Sequence, residues 1–384
     1  MGINIYDRKF RNTLYQILVV LLVLLALGFL GQTTAYNLQQ RGISSGFDFL
    51  NEPAGFEISM HLIDYDESST YGRALLVSIL NTLVVSVLGI FIASLLGLFM
   101  GIARLSRNYL LSKFAAIYVE TLRNVPLLLQ MFFWYFAVFQ ALPHPRQSLS
   151  LGDSVFLNVR GLYFPSMSPT DTFVYWPLAL FGCVAAIVVY NYYRRNTDVE
   201  GMVRSPTWFF SAMLGLIVLL VLMSLDSPVS LIKPELKGFN FSGGMQLIPE
   251  FSALVFSLGT YTAAFIAEIV RAGIESIPKG QIEASHSLGL SRAQTLRFVI
   301  LPQASRVIVP PLTSQYLNLA KNSSLASAIA FPDLVLIFAG TTLNQTGQAI
   351  EVVALTMLFY LVLSLGISGL MNWYNQSQAL KGAR

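Results

Sequence analysis

This chain of 384 residues is poor in charged side chains, cysteine and histidine. Only 11% of its residues are charged, whereas soluble domains carry about a quarter, so the composition excludes an ordinary soluble protein. The single cysteine, Cys183, excludes an internal disulfide, and the three histidines lie too far apart in the sequence to suggest a metal site. With 54% hydrophobic residues, the chain is expected to be an integral membrane protein.

Sequence patterns of catalysis are also missing. The chain has no G-x-x-x-x-G-K-[ST] loop to hold phosphates, so it cannot hydrolyse ATP unaided. It has no H-E-x-x-H pattern, and no serine stands in a recognisable nucleophile motif. We therefore expect no catalytic residue, no cofactor and no metal in this chain.

Eight apolar stretches approach or exceed the roughly 20 residues that a membrane-crossing helix needs. They are residues 14–30, 74–103, 115–142, 173–193, 207–225, 251–271, 311–331 and 349–371. Basic residues precede the first stretch, and the cytoplasmic side of the resulting map holds most of the lysines and arginines, as the positive-inside rule requires. The predicted fold class is an all-α integral membrane protein of about eight transmembrane helices, with both termini cytoplasmic.

The first stretch has a second interpretation as a cleaved signal peptide, because a basic region precedes it. Its apolar run is longer than usual for such a peptide, so we expect an anchor. The predicted organisation is an anchor helix and extracytoplasmic segment (1–73), a transmembrane domain (74–372) and a cytoplasmic tail (373–384). The domain contains an insertion at about 143–250 and a cytoplasmic hairpin at 277–302. Gly97 and Gly101 in the second stretch form a GxxxG, which we interpret as helix packing.

The hairpin is predicted from capping signals. Gly289 suits the left-handed residue after a helix over 281–288, and Ser291 with Gln294 has the spacing of a capping box. A second helix is then ended or kinked by Pro302. Glu283 is expected in the first turn, near the positive end of the helix dipole.

The small residues Ala284 and Ser285 would let a partner approach this hairpin closely. Two interpretations remain open on the residues alone. The hairpin either connects two spans or docks another protein.

The seventh stretch is too polar to face lipid on all sides. Ser314, Asn318 and Lys321 recur at helical spacing and are expected to line a cavity. Further candidates are Asn322, Ser323, Ser324 and Asn124, which precedes a local break or kink predicted at Pro126. Lys321 has several possible roles: attracting a substrate carboxylate, pairing with Glu268 or Glu120, or reaching the interface. Ion pairs are expected between residues three apart in a helix, Glu120 with Arg123 and Glu268 with Arg271.

The hairpin resembles the signature of ABC importer permeases: EAA, three residues, G, nine residues, I-x-L-P. Here it reads Glu283-Ala284-Ser285, Gly289, then Val299-Ile300-Leu301-Pro302, with Ser285 and Val299 as departures. Other stretches are similar to the polar amino-acid branch of that family, namely 123–128, 261–271, 300–304 and 321–325. The resemblance covers about 74–142 and 243–372. The extra helices resemble the long permeases of general L-amino-acid or glutamate/glutamine/aspartate/asparagine importers.

The resemblance implies a five-helix type I importer core, extended by an N-terminal helix and an inserted helix pair. It implies a second permease subunit, an ATPase dimer that binds ATP and Mg, an extracytoplasmic solute-binding protein, and an amino-acid substrate in the bacterial inner membrane. Nucleic acid is not implied. The residues that it assigns to ATPase coupling are Glu283, Ala284, Ser285, Gly289, Leu290 and Ser291.

Three alternatives stand beside this interpretation. An ion-driven secondary amino-acid transporter would use Glu268 or Lys321 as a titrating group. An intramembrane enzyme would need a catalytic motif that the sequence lacks. A membrane scaffold would use the hairpin alone and would not need the polar residues of the seventh stretch.

Overall fold

The computed structural model describes residues 8–40, 46–170, 213 and 229–381. The predicted spans 173–193 and 207–225 therefore lie outside the described residues, as does Cys183. The chain divides into two compact units. One consists of Met1–Trp134 and Ala253–Arg384, and the other of Tyr135–Ser252.

Helices dominate the described part of the chain. In chain order they are α1 (Arg8–Gln40), α2 (Tyr71–Arg104), α3 (Tyr109–Asn124), α4 (Leu127–Phe139, with π-helical geometry from Phe133), α5 (Pro249–Glu275), α6 (Lys279–Ser287), α7 (Arg292–Thr295), α8 (Leu301–Asn322), α9 (Leu343–Thr346) and α10 (Ala349–Lys381). A π-helix, Leu296–Ile300, joins α7 to α8, and a second one, Val335–Thr342, leads into α9. The 3₁₀ turns are Asp48–Asn51, Pro145–Gln147 and Ser323–Ile329.

Among the residues that the structure describes, four helices are long and apolar enough to cross a membrane: Leu14–Thr33 within α1, then α2, α5, and Ala349–Ser377 within α10. The pair α3 and α4 makes a fifth candidate if it is one bent span. Predicted spans one, two, six and eight thus form single apolar helices. The count of eight is not reached within the described residues.

The seventh predicted span, 311–331, begins earlier than the hydropathy suggests. Its helix, α8, starts at Leu301 and gives way to the 3₁₀ turn at Ser323. Pro310 and Pro311 lie inside α8 without ending it. Many polar side chains lower its hydropathy, which explains why α8 is not among the apolar spanning candidates.

The third predicted span, 115–142, is broken. The chain direction bends by 106° between α3 and α4. Val125 has extended backbone angles (φ −93°, ψ 127°), as expected for a residue whose α conformation is disfavoured by the following proline, Pro126. The local break or kink that the sequence predicts at Asn124 and Pro126 is confirmed as a break.

Close packing of α2 against α5 depends on glycine. A Cβ placed on Gly97 would lie 2.6 Å from Ile266 Cβ, and one on Gly101 would lie 2.8 Å from the Ala267 carbonyl oxygen. Both distances are shorter than any normal contact, so only glycine allows the two helices to lie this close. The interpretation of the GxxxG as a packing motif is confirmed.

The segment that precedes α2 is fixed to the helices by apolar and polar contacts. Phe49, Ala54 and Ile58 are buried in one cluster with residues of α2, the Val335–Thr342 segment and α10. Asn81 Nδ2 of α2 donates to the Met60 carbonyl oxygen at 2.7 Å and to the Pro332 carbonyl oxygen at 2.9 Å. Nearer the segment's surface, hydrogen bonds from the hydroxyls of Ser68 and Ser69 hold the pKa of Asp66 below its usual range.

The second unit contains β-structure that an all-α prediction misses. Its strands are β1 (Leu149–Leu151), β2 (Val155–Asn158), β3 (Gly161–Phe164), β4 (Ser166–Pro169), β5 (Val229–Ile232), β6 (Glu235–Lys237), β7 (Asn240–Ser242) and β8 (Met245–Leu247). They form antiparallel sheets with the orders β1-β2-β3-β8, β4-β5 and β6-β7. Strands of three or four residues are too short to show a clear period-2 pattern, which explains the error.

Candidate functional site

The first helix of the hairpin, α6, ends in a complete Schellman motif. Gly289 has a φ of +77°. Its N–H donates to the His286 carbonyl at 2.9 Å, and the Leu290 N–H donates to the Ser285 carbonyl at 3.1 Å. Because L side chains rarely adopt this backbone conformation, glycine is required here. The predicted glycine turn is confirmed.

The second helix of the hairpin starts with the predicted capping box. The Gln294 N–H donates to Ser291 Oγ at 3.4 Å, and the Ser291 N–H donates to Gln294 Oε1 at 2.9 Å. Pro302 does not end this helix. The Leu301 N–H instead donates to the Leu296 carbonyl, five residues back. The π turn shifts the hydrogen-bond ladder just before the proline, which has no N–H, and the helix continues into α8.

Two details of the predicted hairpin are wrong. The helix starts at Lys279, two residues earlier than predicted, so Glu283 lies beyond the first turn and gains little from the helix dipole. Ser285 is 3% exposed and its Oγ lies 3.0 Å from Thr295 Oγ1, so its small side chain serves the contact between the two helices of the hairpin. Ala284, Gly289 and Ser291 are exposed and Leu290 is half-buried.

The hairpin also exposes large apolar side chains. Leu288 is 81% exposed and Phe298 is 62% exposed, and Leu296 is exposed as well. Exposed large apolar side chains commonly mark a contact with another molecule when they form a patch. The hairpin therefore offers a partner a rigid shape, fixed by its caps, together with an apolar surface.

The polar residues of the seventh span differ in how far they are exposed. Ser314, Asn318 and Lys321 are all exposed and follow one another at helical spacing on α8. Asn322 and Ser324 are half-buried, and the Ser324 hydroxyl donates to the Lys321 carbonyl at 2.7 Å. Ser323 is buried, with its hydroxyl donating to the Ala320 carbonyl at 2.7 Å, so it is not part of the exposed stripe.

Glu268 forms the ion pair that the sequence predicts and a second one that it does not predict. Its carboxylate lies 2.6 Å from the Arg271 guanidinium, and it also binds Arg104 of α2. Glu268 is thus neutralised without Lys321, whose side chain makes no ion pair within the part of the chain that the structure describes.

The predicted Glu120–Arg123 pair is absent from the described residues. The Arg123 guanidinium lies over the Phe265 ring instead, at 5.2 Å from its centroid. This cation–π contact stabilises the positive charge of the Arg123 guanidinium. Nothing in the sequence signalled it, because the two residues are far apart in the chain.

Asn124 is exposed at the end of α3, immediately before the break. The α-helical part of α4, just after the break, packs against the Ser323–Ile329 turn. The break and the end of the polar stripe therefore lie in one region of the first unit. Within the described ranges, no group of three or more His, Cys, Asp or Glu side chains is arranged to hold a metal ion.

Comparisons with known proteins agree on one family. Residues 93–379 match the family model described as "Binding-protein-dependent transport system inner membrane component". The chain is 53% identical to the putative amino-acid ABC transporter permease protein YhdX of Escherichia coli K12, over 96% of this chain and 94% of the relative.

Two further relatives also match along nearly their whole length. The general L-amino acid transport system permease protein AapQ of Rhizobium johnstonii is 46% identical, over 98% of this chain and 94% of that protein. The glutamate/glutamine/aspartate/asparagine transport system permease protein BztB of Rhodobacter capsulatus is 41% identical, over 99% and 96%. The resemblance to ABC importer permeases is confirmed, and the chain belongs to the family of binding-protein-dependent transport system inner membrane components.

Proposed function

We propose that this chain is the permease subunit of an ATP-driven amino-acid importer and forms half of its translocation pathway. The observation that carries the proposal is the capped hairpin within a chain 53% identical to a putative amino-acid ABC permease. A permease of this kind performs no chemistry. It changes which side of the membrane can reach a polar site.

The coupling surface in this proposal consists of Glu283, Ala284, Ser285, Gly289, Leu290 and Ser291. The exposed members contact a groove of a separate ATPase subunit, while Ser285 supports the hairpin from inside. ATP and Mg are held by that subunit. When the two ATPase subunits close, the rigid hairpin moves with them, and the attached helices α5 and α8 tilt as bodies.

We propose two other partners by analogy with the family. They are a homologous second permease and an extracytoplasmic solute-binding protein, in a bacterial inner membrane with both termini of this chain cytoplasmic. Residues 74–372 act as the transmembrane domain, with the insertion at about 143–250 and the segment 1–73 as additions to a type I importer core of five helices.

The pathway in this proposal is lined by the exposed face of α8 and by the α3–α4 break. Its residues are Asn124, Ser314, Asn318, Lys321, Asn322 and Ser324, without the buried Ser323. Lys321, which forms no ion pair with any residue that the structure describes, supplies a positive charge that suits a substrate carboxylate in a site of low dielectric. The ion-driven alternative gains no support from the relatives, whose names are those of ABC permeases and amino-acid transport system permeases.

Uptake by the purified complex tests the proposal. The chain is co-expressed with the subunits encoded beside it, purified through a tag on this chain, and reconstituted in liposomes with its solute-binding protein. We expect co-purification of an ATPase and a second permease, and uptake of at least one radiolabelled amino acid. A complex that contains those subunits but moves none of the twenty amino acids would contradict the assignment of the substrate class.

Replacing Lys321 with methionine tests its role in the pathway. We expect the K321M complex to transport glutamate and aspartate about tenfold more slowly, the effect of losing one hydrogen bond between charged groups. Transport of neutral amino acids should fall less. The matched control is K113M, since Lys113 is also exposed but lies near the start of α3. Equal rates for K321M and the wild type at equal amounts of protein would rule out contact with the substrate.

A further inference from the structure

A two-stranded ribbon, formed by β4 and β5, connects the second unit to the two apolar stretches of the insertion. Strand β4 ends at Pro169, four residues before the predicted span 173–193. Strand β5 begins at Val229, four residues after the predicted span 207–225. Because four residues of chain reach at most about 14 Å, the ribbon lies close to the ends of the two spans that the sequence predicts.

The ribbon belongs at the boundary between the lipid headgroups and water. Open sheet edges do not occur within the hydrocarbon, where their backbone groups would find no water. With a cytoplasmic N-terminus, the predicted spans place the ribbon on the outer side of the membrane. Met167 and Leu231 lie opposite each other in the ribbon and are 75% and 62% exposed. Such exposed apolar side chains suit contact with the upper part of the acyl chains.

A cavity of about 430 Å³ opens at the end of β5, within the range of about 300–1,000 Å³ for small-molecule sites. Its lining combines apolar, charged and hydroxyl groups, namely Leu231, Ile232, Lys233, Glu235, Lys237, Ser242 and Gly243. A Cβ placed on Gly243 would lie 3.0 Å from the Lys233 carbonyl oxygen. The turn after β7 therefore packs directly against the end of β5, and backbone forms this wall of the cavity.

The charged groups of this cavity are two ammonium groups and one carboxylate. Lys233, Lys237 and Glu235 are exposed, and none forms an ion pair with another residue of the described ranges. Glu235 and Lys237 are two residues apart on β6 and so lie on the same face of that strand. Lysine ammonium groups form strong hydrogen bonds with phosphate, and a carboxylate does so with an ammonium group. A ligand that carries one phosphate and one ammonium group matches this set.

We propose that the cavity binds the headgroup of a phosphatidylethanolamine molecule in the outer leaflet of the membrane. Lys233 and Lys237 donate hydrogen bonds to its phosphate, and Glu235 accepts one from its ammonium group. An acyl chain of the same lipid lies along Leu231. The apolar part of the cavity lining and the nearness of the predicted spans favour a membrane lipid over a soluble molecule. The inference goes beyond the proposed function, since a bound lipid would hold the insertion against the membrane whatever the protein transports.

Lipid binding to the purified permease–ATPase complex in detergent, measured by native mass spectrometry, tests the proposal. The probes are phosphatidylethanolamine and phosphatidylcholine with the same acyl chains. The methylated ammonium of phosphatidylcholine has no N–H group to donate, so we expect the wild type to bind phosphatidylethanolamine about tenfold or more tightly. The double variant K233M/K237M should bind phosphatidylethanolamine about tenfold or more weakly than the wild type. The matched control is R160M, since Arg160 is exposed in the same unit but does not line this cavity.

A charge change at Glu235 separates recognition from folding. E235M removes the carboxylate and leaves both lysines, so this variant should bind the anionic lipid phosphatidylglycerol more tightly than phosphatidylethanolamine. The wild type should show the opposite order, and misfolding cannot produce such a reversal. Free O-phosphoethanolamine carries the same headgroup charges without acyl chains. It should bind the wild type at least tenfold more weakly than the lipid, because it cannot bury apolar surface.

Four results would each overturn the inference: equal binding of phosphatidylethanolamine by the wild type and K233M/K237M, no wild-type preference for it over phosphatidylcholine or phosphatidylglycerol, an unchanged order of lipids in E235M, or binding of O-phosphoethanolamine as tight as that of the lipid. None of these results would contradict the proposed function, which the uptake assay tests separately. Failure of uptake would likewise leave the lipid site intact.

Discussion

Replacing Gly289 with valine is expected to abolish most uptake while the subunits still assemble and hydrolyse ATP. The φ of +77° at this position costs an L residue about 1–2 kcal/mol, and a β-branched residue more. The Schellman motif that orients Leu290 and the following capping box would be lost. Because the hairpin transmits motion only if it is rigid, we expect uptake per ATP hydrolysed to fall about tenfold or more.

The control for this variant is a second valine substitution in the same hairpin. Gly280 lies in α6 with open space around it and without a positive φ, so G280V adds the same side chain without backbone strain. We expect G280V to keep most of its coupling. Uptake and ATP hydrolysis are measured on the same liposomes. If G289V takes up as much amino acid per ATP hydrolysed as the wild type, the hairpin does not transmit the motion of the ATPase.

Replacing Gly101 with valine is expected to have the largest effect on stability. Its Cβ would lie 2.8 Å from the Ala267 carbonyl oxygen and 2.8 Å from Val270 Cβ. A flexible side chain could rotate away, but the backbone carbonyl cannot, so α2 and α5 must separate. We expect a loss of about 1–3 kcal/mol, the usual cost of overpacking, seen as a lower melting temperature of the purified complex.

Gly366 provides the matched control. It lies in the long helix α10, and a Cβ there would meet nothing within 4 Å. G366V should therefore melt within a few degrees of the wild type. A double variant, G101A with V270A, should recover part of the stability that G101A loses, because the side-chain contact is relieved. Melting of G101V at the wild-type temperature would contradict the close approach of α2 and α5.

Local sequence signals predicted the hairpin well. A glycine after a helix and a capping box act over a few residues, and both formed as predicted at Gly289 and Ser291. Pro126 likewise predicted the break, because it restricts the residue before it. The start of α6 was less predictable, since no side chain caps it and Pro278 precedes it directly.

Contacts between distant parts of the chain were not predictable. Glu268 binds Arg104 across 164 residues, and the spacing of three that suggested a Glu120–Arg123 pair gave no hint of the Phe265 ring. The hydrogen bonds from the Gln130 amide to the Leu122 and Val125 carbonyls were also not predicted, because only the bent backbone reveals which carbonyls that amide can reach. The polar stripe on α8 was visible, but burial of Ser323 was not, since a 3₁₀ turn changes the helical period there.

The most direct measurement of the central claim is the initial rate of amino-acid uptake into liposomes that contain the complete complex, with and without ATP on the ATPase side. The account predicts that uptake needs ATP and the ATPase subunits, and that ionophores which collapse proton and sodium gradients leave the rate unchanged. Uptake by this chain without an ATPase, driven by an ion gradient and abolished by those ionophores, would contradict it.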